Sequence, residues 1–148
     1  MSPFTLTLSI ALAGAVGTLA RYGLGLAVSG VAKASYPGMV VSFPWPVFIA
    51  NMAGSFGFGL VFALTHSFGV LPREYSMILL VGFFGAFTTF STFSYDTMRL
   101  LSDGRYLLAA VNAFGQLALG LLAIVAGMLM GAGIAKLLGA SATSGVSA

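Results

Sequence analysis

The chain has 148 residues, of which 59% are hydrophobic and only 6% are charged, and its mean hydropathy is +1.05. Soluble domains carry about 25% charged residues, so this composition excludes one and indicates an integral membrane protein with little mass outside the bilayer. The absence of cysteine excludes disulfides, thiol chemistry and cysteine-based metal sites. The six basic residues are scattered, so the sequence predicts no nucleic-acid partner.

Four segments are apolar enough and long enough to cross a membrane as helices, which takes about 20 residues each. In chain order, the predicted spans are residues 4–27, 47–64, 76–100 and 106–137. The connections are short, and Asp103-Gly104 predicts a tight turn before the fourth span. We therefore expect one all-α transmembrane domain over residues 1–148, embedded in lipid, whose polar tail at 138–148 frays.

Positive charge is nearly balanced between the two faces of this predicted bundle. An even number of spans puts both termini on one side, which carries Arg73 and Lys136. The other side carries Lys33, Arg99 and Arg105. So small a bias is compatible with one fixed orientation and equally with insertion both ways, which would allow an antiparallel pair of identical chains. Four helices make a thin bundle, so an oligomer is expected in either case.

Small residues recur four positions apart in the second and fourth spans. This spacing places them on one helix face and lets two backbones approach closely in lipid. The pairs are Ala50/Gly54, Ser55/Gly59 and Gly127/Gly131. We expect most of these residues to serve helix packing.

The segment TTFSTFS at 88–94 puts five hydroxyl groups into the middle of the third span. Polar groups at membrane depth usually face the bundle interior or a wet path, and irregular backbone is tolerated only there. Gly82, Gly85 and the hydroxyl residues after them predict a break in this helix. Free carbonyls at one half-helix end suit a cation, and free N–H groups at the other suit an anion. The segment is therefore predicted to line a pore or site.

Phe90 and Phe93 are interleaved with these hydroxyl groups, three residues apart. The edge of a phenyl ring is the positive part of its quadrupole, so ring edges facing inward could hold a small anion. Such binding would be weak enough for the anion to leave, as permeation requires. Ordinary core packing is the alternative, and the sequence alone favours it.

Four further polar residues lie within predicted spans. Arg21 is either an anion-attracting group in a vestibule or a side chain that reaches out to the membrane surface. The Asn51 amide could line a wet path or bond a neighbouring helix. Asn112 and Gln116 lie four apart on one face of the fourth span. They form either a hydrogen-bonding track or bonds between helices.

Three motifs together resemble a known family. They are GAVGTLARY at 14–22, NMAGSFGFG at 51–59 and GAFTTFSTFS at 85–94, of which the last is the most specific. The chain is similar to the Fluc (CrcB) fluoride channel family over roughly residues 10–137. The resemblance implies an antiparallel, dual-topology homodimer with two fluoride pathways and no enzymatic activity. It also implies that cytoplasmic fluoride leaves passively across the plasma (inner) membrane, which relieves its toxicity.

The resemblance further implies roles for individual residues. The pore phenylalanines would meet fluoride with their ring edges, Asn51 would donate from its amide, and Arg21 would lie in the vestibule. The fluoride pathway would comprise Phe90, Phe93, Asn51, Thr89, Ser91, Thr92, Gln116, Asn112 and Arg21. A structural Na⁺ at the dimer interface would be held by the backbone carbonyls of Gly85 and Thr88 from both chains.

The chain departs from the family pattern at two places. Pro46-Val47 stands where relatives often carry Gly-Thr, so a vestibule hydroxyl is lost. Gly120 stands on the polar face of the fourth span, where relatives often carry a small hydroxyl residue. Gln116 is a donor that can substitute on that face, whereas Gly120 is not.

Two other functions fit a four-span protein. A small multidrug-type transporter needs an acidic residue within the membrane, and the first two spans contain none, while Asp96 lies near a span end. A non-transporting subunit of a larger membrane complex would give no ion flux when it is reconstituted alone.

Overall fold

The computed structural model describes residues 1–35 and 43–140, and all the regular secondary structure within these ranges is helical. Four stretches of the described residues are long and apolar enough to cross a membrane. The helices are α1 (Pro3–Ser35), α2 (Trp45–Phe62), α3 (Arg73–Met77), α4 (Gly85–Phe87), α5 (Phe90–Ser102) and α6 (Tyr106–Leu137). Two π-helical turns, Ala63–Ser67 and Ile78–Phe84, extend α2 and join α3 to α4.

The four predicted spans are confirmed, and their ends differ by a few residues. The fourth span is Tyr106–Leu137, as predicted, whereas the third is Arg73–Ser102 and the second continues to Ser67. The helices extend beyond their apolar stretches because a helix ends where its backbone hydrogen bonds end, not where its residues cease to be apolar. The predicted tail lies outside the described residues from residue 141 onwards.

The predicted break in the third span is confirmed, and it lies at Thr88 and Thr89. Both residues are extended, with φ/ψ of −85°/159° and −149°/121°. Gly82 and Gly85, which the sequence indicated as helix breakers, are both helical, since Gly82 belongs to the π-helical turn and Gly85 begins α4. Such π-helical turns frequently occur at functional sites. The hydroxyl residues, rather than the glycines, therefore form the break.

Small residues bring α2 and α6 into backbone contact, as their spacing predicts. A Cβ atom on Gly127 would overlap the carbonyl oxygen of Phe56, and one on Gly59 would overlap that of Ile124. On the other side of the bundle, α1 packs against the first half of the third span. There a Cβ atom on Gly82 would lie 2.7 Å from the carbonyl oxygen of Ile10. These contacts fix the helices around the break.

Replacing Gly127 with alanine is expected to destabilise the bundle by about 1–3 kcal/mol, the typical cost of overpacking a tight contact. The added methyl group must push α6 away from the backbone of α2. Gly133→Ala, in the same helix, is the matched control because a Cβ atom there has open space around it. Unfolding of the two variants in detergent measures the difference, and equal stabilities would contradict a tight backbone contact between α2 and α6 at Gly127.

Candidate functional site

The break is closed by the side chain of Asn51 on α2. Its Oδ1 accepts a hydrogen bond from the Thr89 N–H at 2.9 Å, and its Nδ2 donates to the Thr89 carbonyl at 3.2 Å. An unbroken helix would satisfy both backbone groups internally, whereas here one amide replaces those partners. Asn51 therefore bonds a neighbouring helix, which is one of its two predicted roles, and its partner there is the interrupted backbone.

The remaining two side-chain amides extend from Asn51 along α6. Nδ2 of Asn51 also donates to Oε1 of Gln116 at 2.6 Å. Nε2 of Gln116 donates to Oδ1 of Asn112 at 2.9 Å. Asn112 is fully buried, and its Nδ2 donates to the Thr97 hydroxyl on α5 at 2.8 Å. The polar side chains predicted to share one face of the fourth span therefore hydrogen-bond α6 to α2 and to α5.

A cavity of about 400 Å³ opens at the break and collects most of the predicted residues. Its lining includes Asn51, Thr88, Thr89, Phe90, Phe93 and Gln116. Most of the remaining lining is apolar, and it includes the contact face of α2 at Gly54 and Ser55. The cavity is therefore a mostly apolar space with a few converging polar groups, which is the usual character of a small-ligand site.

Phe90 and Phe93 face the cavity as a pair. Their ring centroids lie 5.6 Å apart, and the ring planes are tilted by 48°. Phe90 is 79% exposed in the single chain, while Phe93 is half-buried. The ring of Phe90 therefore packs little against its own chain and does not belong to the core of the single chain.

The hydroxyl groups of the 88–94 segment separate into different surroundings. The Thr89 hydroxyl caps α5 by accepting from the Thr92 N–H at 3.3 Å, and it lies 3.0 Å from the Thr92 hydroxyl. Ser91 is exposed, with its hydroxyl 3.4 Å from that of Thr89. Ser94 is also exposed and donates to the Phe90 carbonyl. Only Thr88 and Thr89 of this group line the cavity.

Two smaller cavities lie apart from the break. One, of about 380 Å³, is lined by Arg21, whose Nε is buried and has no hydrogen-bond partner within the described residues. The other, of about 270 Å³, is lined by Thr92, Asp96 and Arg99. Both share Val47 in their lining. Arg21 and Thr92 therefore lie outside the cavity that holds Asn51.

The break also frees backbone carbonyls, among them those of Gly85 and Thr88. The Thr89 N–H, which would bond the Gly85 carbonyl in a continuous helix, donates to Asn51 instead. The Thr92 N–H, which would bond the Thr88 carbonyl, donates to the Thr89 hydroxyl. Gly85 is exposed. Carbonyl oxygens freed in this way are suitable ligands for a small cation.

The structure thus brings five of the nine predicted pathway residues to one cavity and separates the other four. Asn112 is behind the cavity wall, Ser91 is on the exposed face of α5, and Arg21 and Thr92 line neighbouring spaces. Thr97, whose hydroxyl accepts from Asn112, was not predicted from the sequence. The available signal was its position four residues after Phe93, on the same face of α5.

Four apolar helices, one of them broken beside a cavity with converging hydrogen-bond donors, define a membrane protein suited to passing a small polar solute or ion. The chain belongs to the CrcB family, because residues 8–128 match the family described as "CrcB-like protein, Camphor Resistance (CrcB)". The resemblance predicted from the three motifs is therefore confirmed. The four spans and the family together make the chain a multi-pass protein of the plasma membrane, as predicted.

Curated relatives named "Fluoride-specific ion channel FluC" cover most of the chain. The protein from Nitrosococcus oceani is 43% identical over 80% of this chain and 89% of its own length. The protein from Solidesulfovibrio magneticus is 45% identical over 82% and 92%, respectively. The protein from Thermus thermophilus is 44% identical over 84% and 91%.

Proposed function

We propose that this protein is a fluoride-selective ion channel that lets fluoride leave the cytoplasm passively. The observation that carries the proposal is the cavity at the helix break, where a phenylalanine pair and two side-chain amides converge. The names of the relatives supply the ion, and they describe channels rather than enzymes or drug carriers. A mostly apolar space with few donors suits a small anion that must be held weakly.

The hydrogen bonds of the cavity indicate which donors serve the ion. Both N–H groups of Asn51 are used, and the longer bond, to the Thr89 carbonyl, is the weaker one. One N–H of Gln116 bonds Asn112, which leaves the other for an anion in the cavity. We propose that fluoride takes this second Gln116 N–H and displaces the Thr89 carbonyl from Asn51. The Phe90 and Phe93 ring edges would complete its surroundings.

We propose an antiparallel homodimer as the conducting unit. Phe90, Ser91 and Gly85 are exposed around the break, although polar groups at this depth need protein or a wet cavity around them. A second, inverted copy would cover this face, and the balanced charge of the two sides permits both orientations. The cysteine-free chain allows a direct test with Ser102→Cys. An impermeant maleimide should label a fraction near one half in intact cells, whereas complete or absent labelling would contradict dual topology.

We also propose that the freed carbonyls of Gly85 and Thr88 hold Na⁺ at the dimer interface. The diverted N–H groups of Thr89 and Thr92 support this assignment, because they leave both carbonyls without their helical partners. Na⁺ would supply a positive charge that links the two copies there. Exchange of Na⁺ for a large organic cation during purification should lower the stability of the dimer. An unchanged dimer would contradict a structural ion.

Efflux from liposomes tests the proposed function. The purified protein is reconstituted alone, and fluoride and chloride efflux are recorded with ion-selective electrodes after the membrane potential is collapsed. Fast passive fluoride efflux with little chloride efflux is expected. No fluoride efflux from inserted dimers would overturn the proposal and favour a subunit that needs a partner chain.

A further inference from the structure

The three side-chain amides of this protein belong to one directed network. Asn51, Asn112 and Gln116 are the only asparagine and glutamine residues in the sequence. Five hydrogen bonds of 2.6–2.9 Å, each donor passing to the next acceptor, connect them to the third span. In order of donation, the amide network is formed by Thr89, Asn51, Gln116, Asn112, Thr97 and Phe93.

Each end of the amide network is a backbone group that has one possible role. The Thr89 N–H only donates, so it requires the oxygen of Asn51 to face it. The Phe93 carbonyl only accepts, so the Thr97 hydroxyl donates to it at 2.8 Å and presents its oxygen to Asn112. Amide groups have nearly the same shape in both orientations, so these ends decide how each amide points.

We propose that Thr97 is a positioning residue for fluoride conduction, acting through Asn112 and Gln116 on Asn51. Without its hydroxyl, the fully buried Nδ2 of Asn112 has no acceptor. If Asn112 then turns over, its NH₂ group faces that of Gln116, and Gln116 must turn in response. That turn would remove the acceptor from Asn51 and change which group Gln116 shows to the cavity.

The inference rests on the proposed function but concerns a residue outside the cavity. Thr97 is absent from the cavity lining and touches it only through hydrogen-bonded partners. A purely structural threonine would affect stability and leave ion selectivity alone. A positioning threonine affects the orientation of Asn51, which lies on another helix and is three hydrogen bonds away.

Thr97→Val tests the proposal because it removes the hydroxyl while keeping the side-chain shape. We expect fluoride efflux per inserted dimer to fall at least about fivefold, the smallest effect that orphaning a buried N–H implies. Thr97→Ser keeps the hydroxyl and should restore efflux. Thr65→Val is the matched control, since the buried Thr65 hydroxyl donates to the Val61 carbonyl in its own helical segment. Wild-type efflux in Thr97→Val, or equal losses in the valine and serine variants, would overturn the proposal.

A second measurement keeps the test independent of conduction and of folding defects. In micelles, the three amides give three pairs of side-chain ¹⁵N–¹H resonances. Each pair is assigned by the single substitution that removes it. Thr97→Val should shift the Asn51 pair, and Thr97→Ser and Thr65→Val should not. If Thr97→Val does not fold, the paired variant Thr97→Val/Asn112→Leu removes the orphaned group and still deprives Gln116 of its acceptor. If the Asn51 resonances do not shift in whichever variant folds, the role of Thr97 is overturned. If the wild-type protein gives no fluoride efflux, the proposed function is overturned instead, so the two failures are distinguishable.

Discussion

Fluoride efflux is expected to be abolished by Asn51→Asp, a change that preserves side-chain size and removes both N–H donors. In the wild-type chain, these donors bond the Thr89 carbonyl and Oε1 of Gln116. A carboxylate would face two acceptors at these positions, and its charge would repel an anion entering the cavity. Charge buried in a mostly apolar space is poorly screened, so this repulsion is larger than at a surface.

Two companion measurements separate the charge from the lost donors. Asn51→Leu removes the donors without adding charge, so it should also reduce efflux but leave more than the aspartate variant does. Size-exclusion chromatography of each variant tests whether the assembly persists, because Asn51 also holds the Thr89 N–H at the break. Near wild-type efflux through an intact Asn51→Asp assembly would show that the ion does not pass this amide.

The spans and the interruption could be predicted from the sequence because both are properties of one continuous segment. Apolar length determines whether a helix can cross the bilayer, and the fourth span was predicted to the residue. The hydroxyl cluster marked the break because such residues compete with the helical backbone for hydrogen bonds. The inclusion of Gly82 and Gly85 among the residues that break the helix was wrong, since both are helical and glycine permits irregular backbone without requiring it.

The connections within the site could not be predicted, because they depend on how the helices are rotated and stacked. Asn51 meets Thr89 across 38 positions of sequence and Gln116 across 65. The five hydroxyl groups of the 88–94 segment point in several directions around α5, so two of them line the cavity and Ser91 and Ser94 are exposed. A list of polar residues therefore overstates the pathway, and it omits Thr97, whose partner lies on another helix.

The phenylalanine pair gives the sharpest test of how the anion is held. Phe90→Ile and Phe93→Ile keep apolar bulk at the cavity and remove the ring quadrupole, so each should lower fluoride efflux by about tenfold, near the upper value of one aromatic interaction. The fold of the single chain should persist, since Phe90 is 79% exposed in it and contributes little to its core. Assembly should persist as well, because isoleucine keeps apolar bulk for the second copy to pack against.

Phe114→Ile is the matched control for these substitutions. Phe114 is 72% exposed on α6 and lies outside the cavity lining, so efflux should remain at the wild-type rate. Normal efflux in both Phe90→Ile and Phe93→Ile would rule out the ring edges as ligands and leave the amides of Asn51 and Gln116 as the side chains that hold the ion. Loss of efflux in those two variants and not in Phe114→Ile would mean that aromatic character at the break, and not aromatic content in general, is what the ion requires.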